Sequence, residues 1–182
     1  GRGMAAPKGL KTTSSPLQIS ATVGQITVGI NTFATEEIPL TLNVLDNEVF
    51  VVTQINLDVQ APSFPAVAGD NASVSASLST TARDTVGSIA DANVLGASER
   101  FIGTGVAPHF GAVSFDREDP LFSAISEDYL GIVATNNMFL NIDSIGSAVA
   151  EFKNCRVRIY GYRASAGAAV YAALVQSELL SA

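Results

Sequence analysis

The sequence of 182 residues has no tryptophan, a single cysteine and a single histidine. One cysteine excludes a disulfide within the chain, and one cysteine with one histidine cannot by themselves complete a zinc site. Catalysis of the Ser-His-Asp or Cys-His kind would have to depend entirely on His109, which stands in a segment where a loop or strand-edge histidine is the ordinary interpretation. Cys155 falls on the apolar side of a predicted strand, where a cysteine usually behaves as a small buried hydrophobe.

Charged residues are also few, at 15% of the chain against roughly 25% in an ordinary soluble domain. Ten basic and seventeen acidic residues give a formal net charge of −7, which excludes a protein that binds nucleic acid over its whole surface. Hydrophobic residues make up 47% of the chain, which excludes disorder and leaves little charged surface for a monomer. We therefore expect one domain, with part of its surface covered by other subunits.

No apolar run is long enough to span a bilayer, since the most apolar stretch, residues 166–175, has ten residues against the roughly twenty required. Residues 1–16 are basic, but no apolar run of signal-peptide length follows them, so we expect no secretory signal.

Apolar residues recur at every second position in several segments, which is typical of strands with one buried face. The pattern predicts strands over residues 25–31, 37–44, 49–59, 72–79, 138–143 and 154–162. Short helices are predicted over 84–96, 120–129 and 164–180. Seven or eight strands separated by turn residues favour an all-β antiparallel sandwich or barrel. The predicted divisions are a flexible basic N-terminal arm over 1–16, a β-sandwich body over 17–163 and a C-terminal helix or arm over 164–182.

Two motifs that resemble ligand sites have plainer explanations. Asp116, Glu118 and Asp119 could hold a hard cation such as Ca²⁺ through oxygen ligands, but their spacing is not that of an EF-hand, and a solvated loop is the favoured interpretation. Gly103-Thr104-Gly105 lacks the third glycine of a dinucleotide site and is interpreted as a loop. We expect no cofactor.

The charge distribution is more informative. Residues 1–11 have three basic side chains and no acid, residues 12–152 have three basic and sixteen acidic, and residues 153–163 have four basic. The basic ends predict contacts with neighbouring subunits, because Arg and Tyr are enriched at interface cores. The candidate contact residues are Arg2, Lys8 and Lys11 in the arm and Arg156, Arg158, Tyr160, Tyr162 and Arg163 in the last strand. The alternative for the last five is the polar outer face of a monomer, and any nucleic-acid contact through so few charges would be weak and salt-sensitive.

Two segments resemble the C-terminal strands of a known protein family. The first is Asn136-Asn137-Met138-Phe139-Leu140-Asn141-Ile142, and the second runs from Cys155 to Ala164 and contains Arg158-Ile159-Tyr160-Gly161-Tyr162. That family is the single-jelly-roll major capsid proteins of icosahedral, internal-membrane viruses of archaea and bacteria, of sphaerolipovirus type. The resemblance implies a vertical jelly roll of two four-stranded sheets in pseudo-hexameric capsomers. It also implies a second, related capsid protein and a viral membrane beneath the shell.

The sequence thus predicts a structural capsid protein, found in the virion, that self-assembles or co-assembles into a closed shell and is not an enzyme. Two alternatives stay open: a phage decoration or fibre binding module, which the lack of tryptophan disfavours, and a tail-tube protein.

Overall fold

A computed structural model describes residues 6–65, 69–105, 112–117, 121–123, 129–146 and 151–180. The elements in chain order are β1 (Leu10–Thr12), β2 (Leu17–Gly24), β3 (Ala34–Pro39), β4 (Glu48–Val59), β5 (Asn71–Ser79), β6 (Val94–Thr104), β7 (Ala112–Arg117), β8 (Leu121–Ser123), β9 (Gly131–Val133), β10 (Asn137–Ile145), β11 (Asn154–Ala166) and α1 (Ala168–Leu180).

The strands form two antiparallel sheets. In sheet 1, β11 lies between β4 on one side and β2 and β1 on the other, and β8 and β9 both pair with the far side of β4. In sheet 2 the order is β3-β10-β5-β6-β7. The pairings are nested: β5 pairs with β6, β4 with β8 and β9, β3 with β10, and β2 with β11. Strand pairs nested in this way arise when one long hairpin is rolled up into two facing sheets.

The sandwich is a jelly roll. Its strand order alone establishes the fold and confirms the predicted all-β class.

The inner faces of the two sheets enclose the main core. Fully buried side chains from β4, such as Phe50, Ile55 and Leu57, pack against Leu78 of β5 and Leu140 of β10. Each contributing strand alternates between this core and the outside, as the two-residue period of a pleated strand requires. Burial of a side chain of this size contributes about 1.5–3 kcal/mol, so this core is the main source of stability.

A bulge interrupts the pairing of β4 with β11. The register shifts after Tyr160, which lies opposite Gln54, so that Gly161 lies opposite Val52 and Thr53 is the extra residue. The Thr53 hydroxyl donates to the carbonyl oxygen of Tyr160 at 3.1 Å. A Cβ at Gly161 would lie 2.2 Å from the carbonyl oxygen of Val51, so only glycine fits here.

Most of the predicted elements are confirmed. Strands occur at 48–59, 71–79, 137–145 and 154–166, and the C-terminal helix spans Ala168–Leu180. Within the described residues the chain has no helix of the length and apolarity that crossing a bilayer requires.

The strand predicted over 25–31 is wrong. These residues form turns after β2, and Ile26 is 73% exposed, because this alternation meets no core. The strand predicted over 37–44 ends at Pro39, which is followed by a loop and a 3₁₀ turn at Val44–Asp46.

The helix predicted over 84–96 is also wrong, since turns lead into β6 at Val94. Of the helix predicted over 120–129, Leu121–Ser123 is a strand, and residues 120 and 124–128 lie outside the described residues. Gly103 and Thr104, interpreted as a loop, end β6 instead. The division into arm, body and tail stays a prediction, although Leu10–Thr12 of the predicted arm forms a strand against the end of β11.

Gly161→Ala is expected to destabilise the fold, because the added methyl group overlaps a backbone carbonyl and the Phe50 ring. We expect a loss of about 1–3 kcal/mol or more in chemical denaturation, the range of overpacked sites. Gly167→Ala is the matched control, since no atom lies within 4 Å of a Cβ there. Equal stability of the two variants would show that the close approach at Gly161 is unimportant.

Candidate assembly surface

Three of the predicted contact residues on β11 lie on the outer face of sheet 1. Arg156 and Arg158 are exposed and Tyr160 is half-buried, while the intervening Val157 and Ile159 enter the core. Across the sheet, Arg156 stands between Thr22 of β2 and Asp58 of β4; Arg158 stands between Ser20 and Asn56. The strand alternation thus places the two arginines on the same face, with their backbone positions about 6.5–7 Å apart along β11.

The guanidinium groups of Arg156 and Arg158 have no ion pair or hydrogen bond with the residues that the structure describes. They border a shallow, open depression of about 360 Å³, whose other polar side chains are Ser20, Thr22, Asn56 and Asp58. An open polar face of this kind suits contact with another surface better than enclosure of a small ligand.

Tyr162 continues the same face but is covered. It is 5% exposed and packs with Val49 and Val51 in a second apolar cluster on the outside of sheet 1. Helix α1 supplies the cover, chiefly through Tyr171 and Leu174. Tyr162 therefore packs against the subunit's own helix.

Arg163 points to the other side of the strand and bonds within the subunit. Its Nη2 donates to the carbonyl oxygen of Leu40 at 3.0 Å and to the Thr41 hydroxyl at 3.1 Å. Its Nε lies 3.7 Å from the Glu48 carboxylate. Since Leu40 follows β3, this side chain ties sheet 1 to sheet 2.

The remaining candidates are dispersed. Lys8 and Lys11 are exposed, and Lys11 lies in β1 opposite Ser165. Asp116 lies in β7 opposite Arg100. Arg2, His109, Glu118 and Asp119 lie outside the described residues. Cys155 is buried and forms no disulfide, and the described part of the chain contains no group of three His, Cys, Asp or Glu that could hold a metal ion.

Helix α1 is apolar on both sides. Tyr171, Leu174 and Val175 face sheet 1, while Leu179 and Leu180 on the other side are 64% and 79% exposed. The exposed residues also include Ala168, Ala169, Val170, Ala172 and Ala173. Gln176 and Ser177 are its exposed polar residues. Large apolar side chains of a helix are normally buried, so the outer side of α1 lacks a cover among the described residues.

Glu178 is the only charged residue of α1, and it is buried. Its carboxylate accepts hydrogen bonds from the backbone N–H of Ala134, from the backbone N–H of Thr135 at 3.1 Å and from the Thr135 hydroxyl at 2.6 Å. These bonds fix the helix to the turn between β9 and β10. Glu178 was not predicted from the sequence, although a single charged residue in a mainly apolar helix could have indicated it.

A polar cluster lies at the opposite end of the sandwich, where β4, β10 and β11 meet their loops. The Lys153 ammonium donates to the Glu151 carboxylate at 2.7 Å and to the Ser63 hydroxyl at 2.8 Å. The backbone N–H of Lys153 donates to the side-chain oxygen of buried Gln25 at 3.0 Å. The hydrogen bonds from Lys153 and Ser63, with the charge of Lys153, lower the pKa of Glu151 below its ordinary value of 4.5.

Comparisons with known proteins give no family. No protein-family model and no curated protein matches the chain. Among solved structures it is similar to trichodysplasia spinulosa-associated polyomavirus VP1 in complex with 6'-sialyllactose, at 8% identity and a TM-score of 0.46 over 90% of this chain and 97% of that one. It is also similar to the unassembled KI polyomavirus VP1 pentamer, at 8% identity and a TM-score of 0.45 over 88% and 100%.

A third similar structure is desmodium yellow mottle tymovirus, at 15% identity and a TM-score of 0.28 over 92% of this chain and 95% of that one. With all three TM-scores below 0.5, we take nothing about function from these similarities.

Glu178→Ala is expected to release α1 from sheet 1, because two backbone N–H groups lose their acceptor. Leaving buried donors unsatisfied costs about 1–3 kcal/mol, so amide hydrogen exchange over residues 168–180 should accelerate strongly. Gln176→Ala, at an exposed position of the same helix, is the control and should exchange like the native chain. Unchanged protection in Glu178→Ala would contradict the anchoring role.

Glu151→Gln is expected to reduce stability at neutral pH and to lose that effect in acid. Because the folded-state pKa of Glu151 is lowered, its ionised form contributes stability above the ordinary value of 4.5, and this contribution disappears as the pH falls through the lower folded-state pKa. Denaturation curves of both chains should therefore converge as the pH drops below 4.5. A difference independent of pH would show that the carboxylate charge has no role.

Proposed function

We propose that the chain is a structural capsid protein that assembles, with copies of itself or with a second related jelly-roll subunit, into the icosahedral shell of a virus. The observation that carries the proposal is the uncovered outer side of α1, which holds apolar residues and no charge. Contiguous apolar patches that face water on a single chain mark surfaces that another molecule covers.

The apolar exposure is not confined to the helix. At the end of the sandwich where β3 leads to β4, Leu45 is 94% exposed; at the other end, Ile26 and Phe64 are exposed in two loops and Ile145 is exposed at the end of β10. A subunit enclosed by neighbours on several sides loses such exposure in a closed symmetric assembly.

The jelly roll is compatible with this role, since the architecture occurs in viral capsids as well as in lectin domains. A fold alone does not fix a function, so the proposal depends on the surfaces. The function requires no catalytic group.

The finer parts of the proposal come from the sequence resemblance to capsid proteins of internal-membrane viruses. These finer parts are that the subunits form pseudo-hexameric capsomers, that the protein is located in the virion and that a membrane lies beneath the shell. The basic segment with Arg2, Lys8 and Lys11 would contact neighbours or that membrane, without tight binding to the genome.

Electron microscopy of the native protein, with sedimentation velocity on the same material, tests the proposal. We expect closed shells or capsomer-sized particles in place of free subunits. Rings or cylinders would indicate a tail-tube protein instead, and a monomer that binds glycans would indicate a decoration or fibre module.

Leu179→Ser with Leu180→Ser is expected to weaken assembly, because it replaces the two most exposed large side chains of α1 with polar ones. The dissociated subunit should keep its thermal stability, since neither side chain is buried. Particle yield by sedimentation is the measurement, with Gln176→Ala as the matched surface control. Native yield from the double variant would remove α1 from the proposed contacts.

A further inference from the structure

Within the described part of the chain, each sheet has one covered and one uncovered half on its outer face. The lower half is defined as the end where β11 leads into α1, and the upper half as the end where β4 leads toward β5. Helix α1 covers the lower half of sheet 1 through its contacts with Val49, Val51 and Tyr162.

The loop of residues 80–93 covers the lower half of sheet 2. The Ser77 hydroxyl donates to the carbonyl oxygen of Val86 at 2.6 Å, and the Ser79 hydroxyl donates to that of Thr81 at 2.8 Å. Val86, Ser77 and Ser79 are all buried. The two uncovered halves therefore lie at the same, upper end of the sandwich, on opposite outer faces.

The uncovered half of sheet 1 is basic. It presents Arg156 and Arg158, both exposed, with Asp58 as the acid in register with Arg156. The other residues in these rows are the uncharged Ser20, Thr22 and Asn56.

The uncovered half of sheet 2 is acidic. Asp143 of β10 and Glu99 of β6 both lie opposite Ser75 of β5, so one row across the sheet carries two half-buried acids separated by a small residue. At a strand spacing of about 4.8 Å, the two positions are about 10 Å apart. Neither acid forms an ion pair with the described residues; Glu99 lies in register with Arg117 of β7.

The other described basic side chains of the sandwich already have partners. Arg83 pairs with Asp91 at 3.4 Å, Lys153 with Glu151 at 2.7 Å, and Arg163 approaches Glu48 at 3.7 Å. Arg100 donates to the carbonyl oxygen of Val59 at 3.3 Å. Among the arginines whose side chains the structure describes, Arg156 and Arg158 are thus the two left for a contact outside the subunit.

We propose that the uncovered half of sheet 1 in one copy of this chain docks against the uncovered half of sheet 2 in the next copy. This inference rests on the proposed capsid function and names the two faces that meet. Arg156 and Arg158 of one copy face Asp143 and Glu99 of its neighbour, so opposite charges align the two faces.

The charges also decide the symmetry of the contact. A two-fold interface would place the same face of both copies together, bringing arginines against arginines or acids against acids. The proposed contact joins two different faces, and a contact of that kind repeats from copy to copy until the rotation closes a ring or shell.

A charge-swap series tests the face pairing. Variant A carries Arg156→Glu and Arg158→Glu, and variant B carries Glu99→Lys and Asp143→Lys. Each single-face variant sets like charges against each other, and we expect the protein concentration needed for assembly at low salt to rise about tenfold or more. The chain with all four changes keeps the formal net charge of −7 and restores opposite charges across the contact, so it should assemble like the native chain.

Glu36→Lys with Glu37→Lys is the matched control for variant B. It makes the same change in net charge on the edge strand β3, outside the acidic row, and should leave assembly unchanged. Circular dichroism and thermal unfolding of each chain at a concentration below assembly show that every variant is folded.

The outcomes separate the two proposals. Rescue by the four-fold variant supports the face pairing, as does weakening of native assembly when salt is raised, since screening shortens the reach of surface charges to about 8 Å at physiological ionic strength. Native assembly that neither variant A nor variant B weakens, or a four-fold variant no better than A and B, overturns the face pairing but leaves the capsid proposal standing. A native chain that never associates overturns the capsid function itself.

Discussion

Strand β11 pairs with β4 from Cys155 opposite Val59 to Ser165 opposite Glu48, and this long ladder determines how the core and the outer face of sheet 1 are arranged. It fixes which β11 side chains enter the core and which stand on the outer face. The bulge at Thr53 lets Val52 and Phe50 face the core while Val51 and Val49 face α1, so the lower half of sheet 1 is apolar on both faces. The polar upper half and the helix-covered lower half are thus two consequences of one pairing.

The fold was predictable where an alternating pattern coincides with a buried face. Strands β4, β5, β10 and β11 all contribute such faces to the core, and their patterns were read correctly. The segment 25–31 has the same pattern, but its register relative to a partner strand cannot be seen in the sequence, and none of the described strands pairs with it. An alternating segment becomes a half-buried strand only where a partner strand pairs with it and a core covers one of its faces.

Strands β1, β2, β6, β7, β8 and β9 were not predicted, and β2 and β6 illustrate two different reasons. In β2 the alternation of Leu17, Ile19, Ala21 and Val23 was present but weak, because Ala21 is small and β2 lies at the edge of sheet 1. In β6 the inward positions include Gly96, Ser98 and Arg100, so no apolar pattern exists to be read. Only its position between β5 and β7 makes this segment a strand.

The candidate surface was predictable in part, since alternation places Arg156, Arg158, Tyr160 and Tyr162 on one face. The packing of α1 over Tyr162 depends on where the chain turns after Ala166, and the bonds of Arg163 depend on a loop far away in sequence. The acidic row on sheet 2 joins Asp143 and Glu99 through register alone, which neither segment reveals by itself.

The position of β11 also sets the order in which the molecule can be completed. Strands β2 and β4 do not pair with each other; both pair with β11, which follows them late in the chain. Sequence-distant pairing of this kind makes folding slow and leaves strand edges open until it occurs. Arg156 and Arg158 are on β11, so the basic face forms only when this late strand has been synthesised and the sandwich can close. Subunits can therefore associate through that face only after the sandwich has folded.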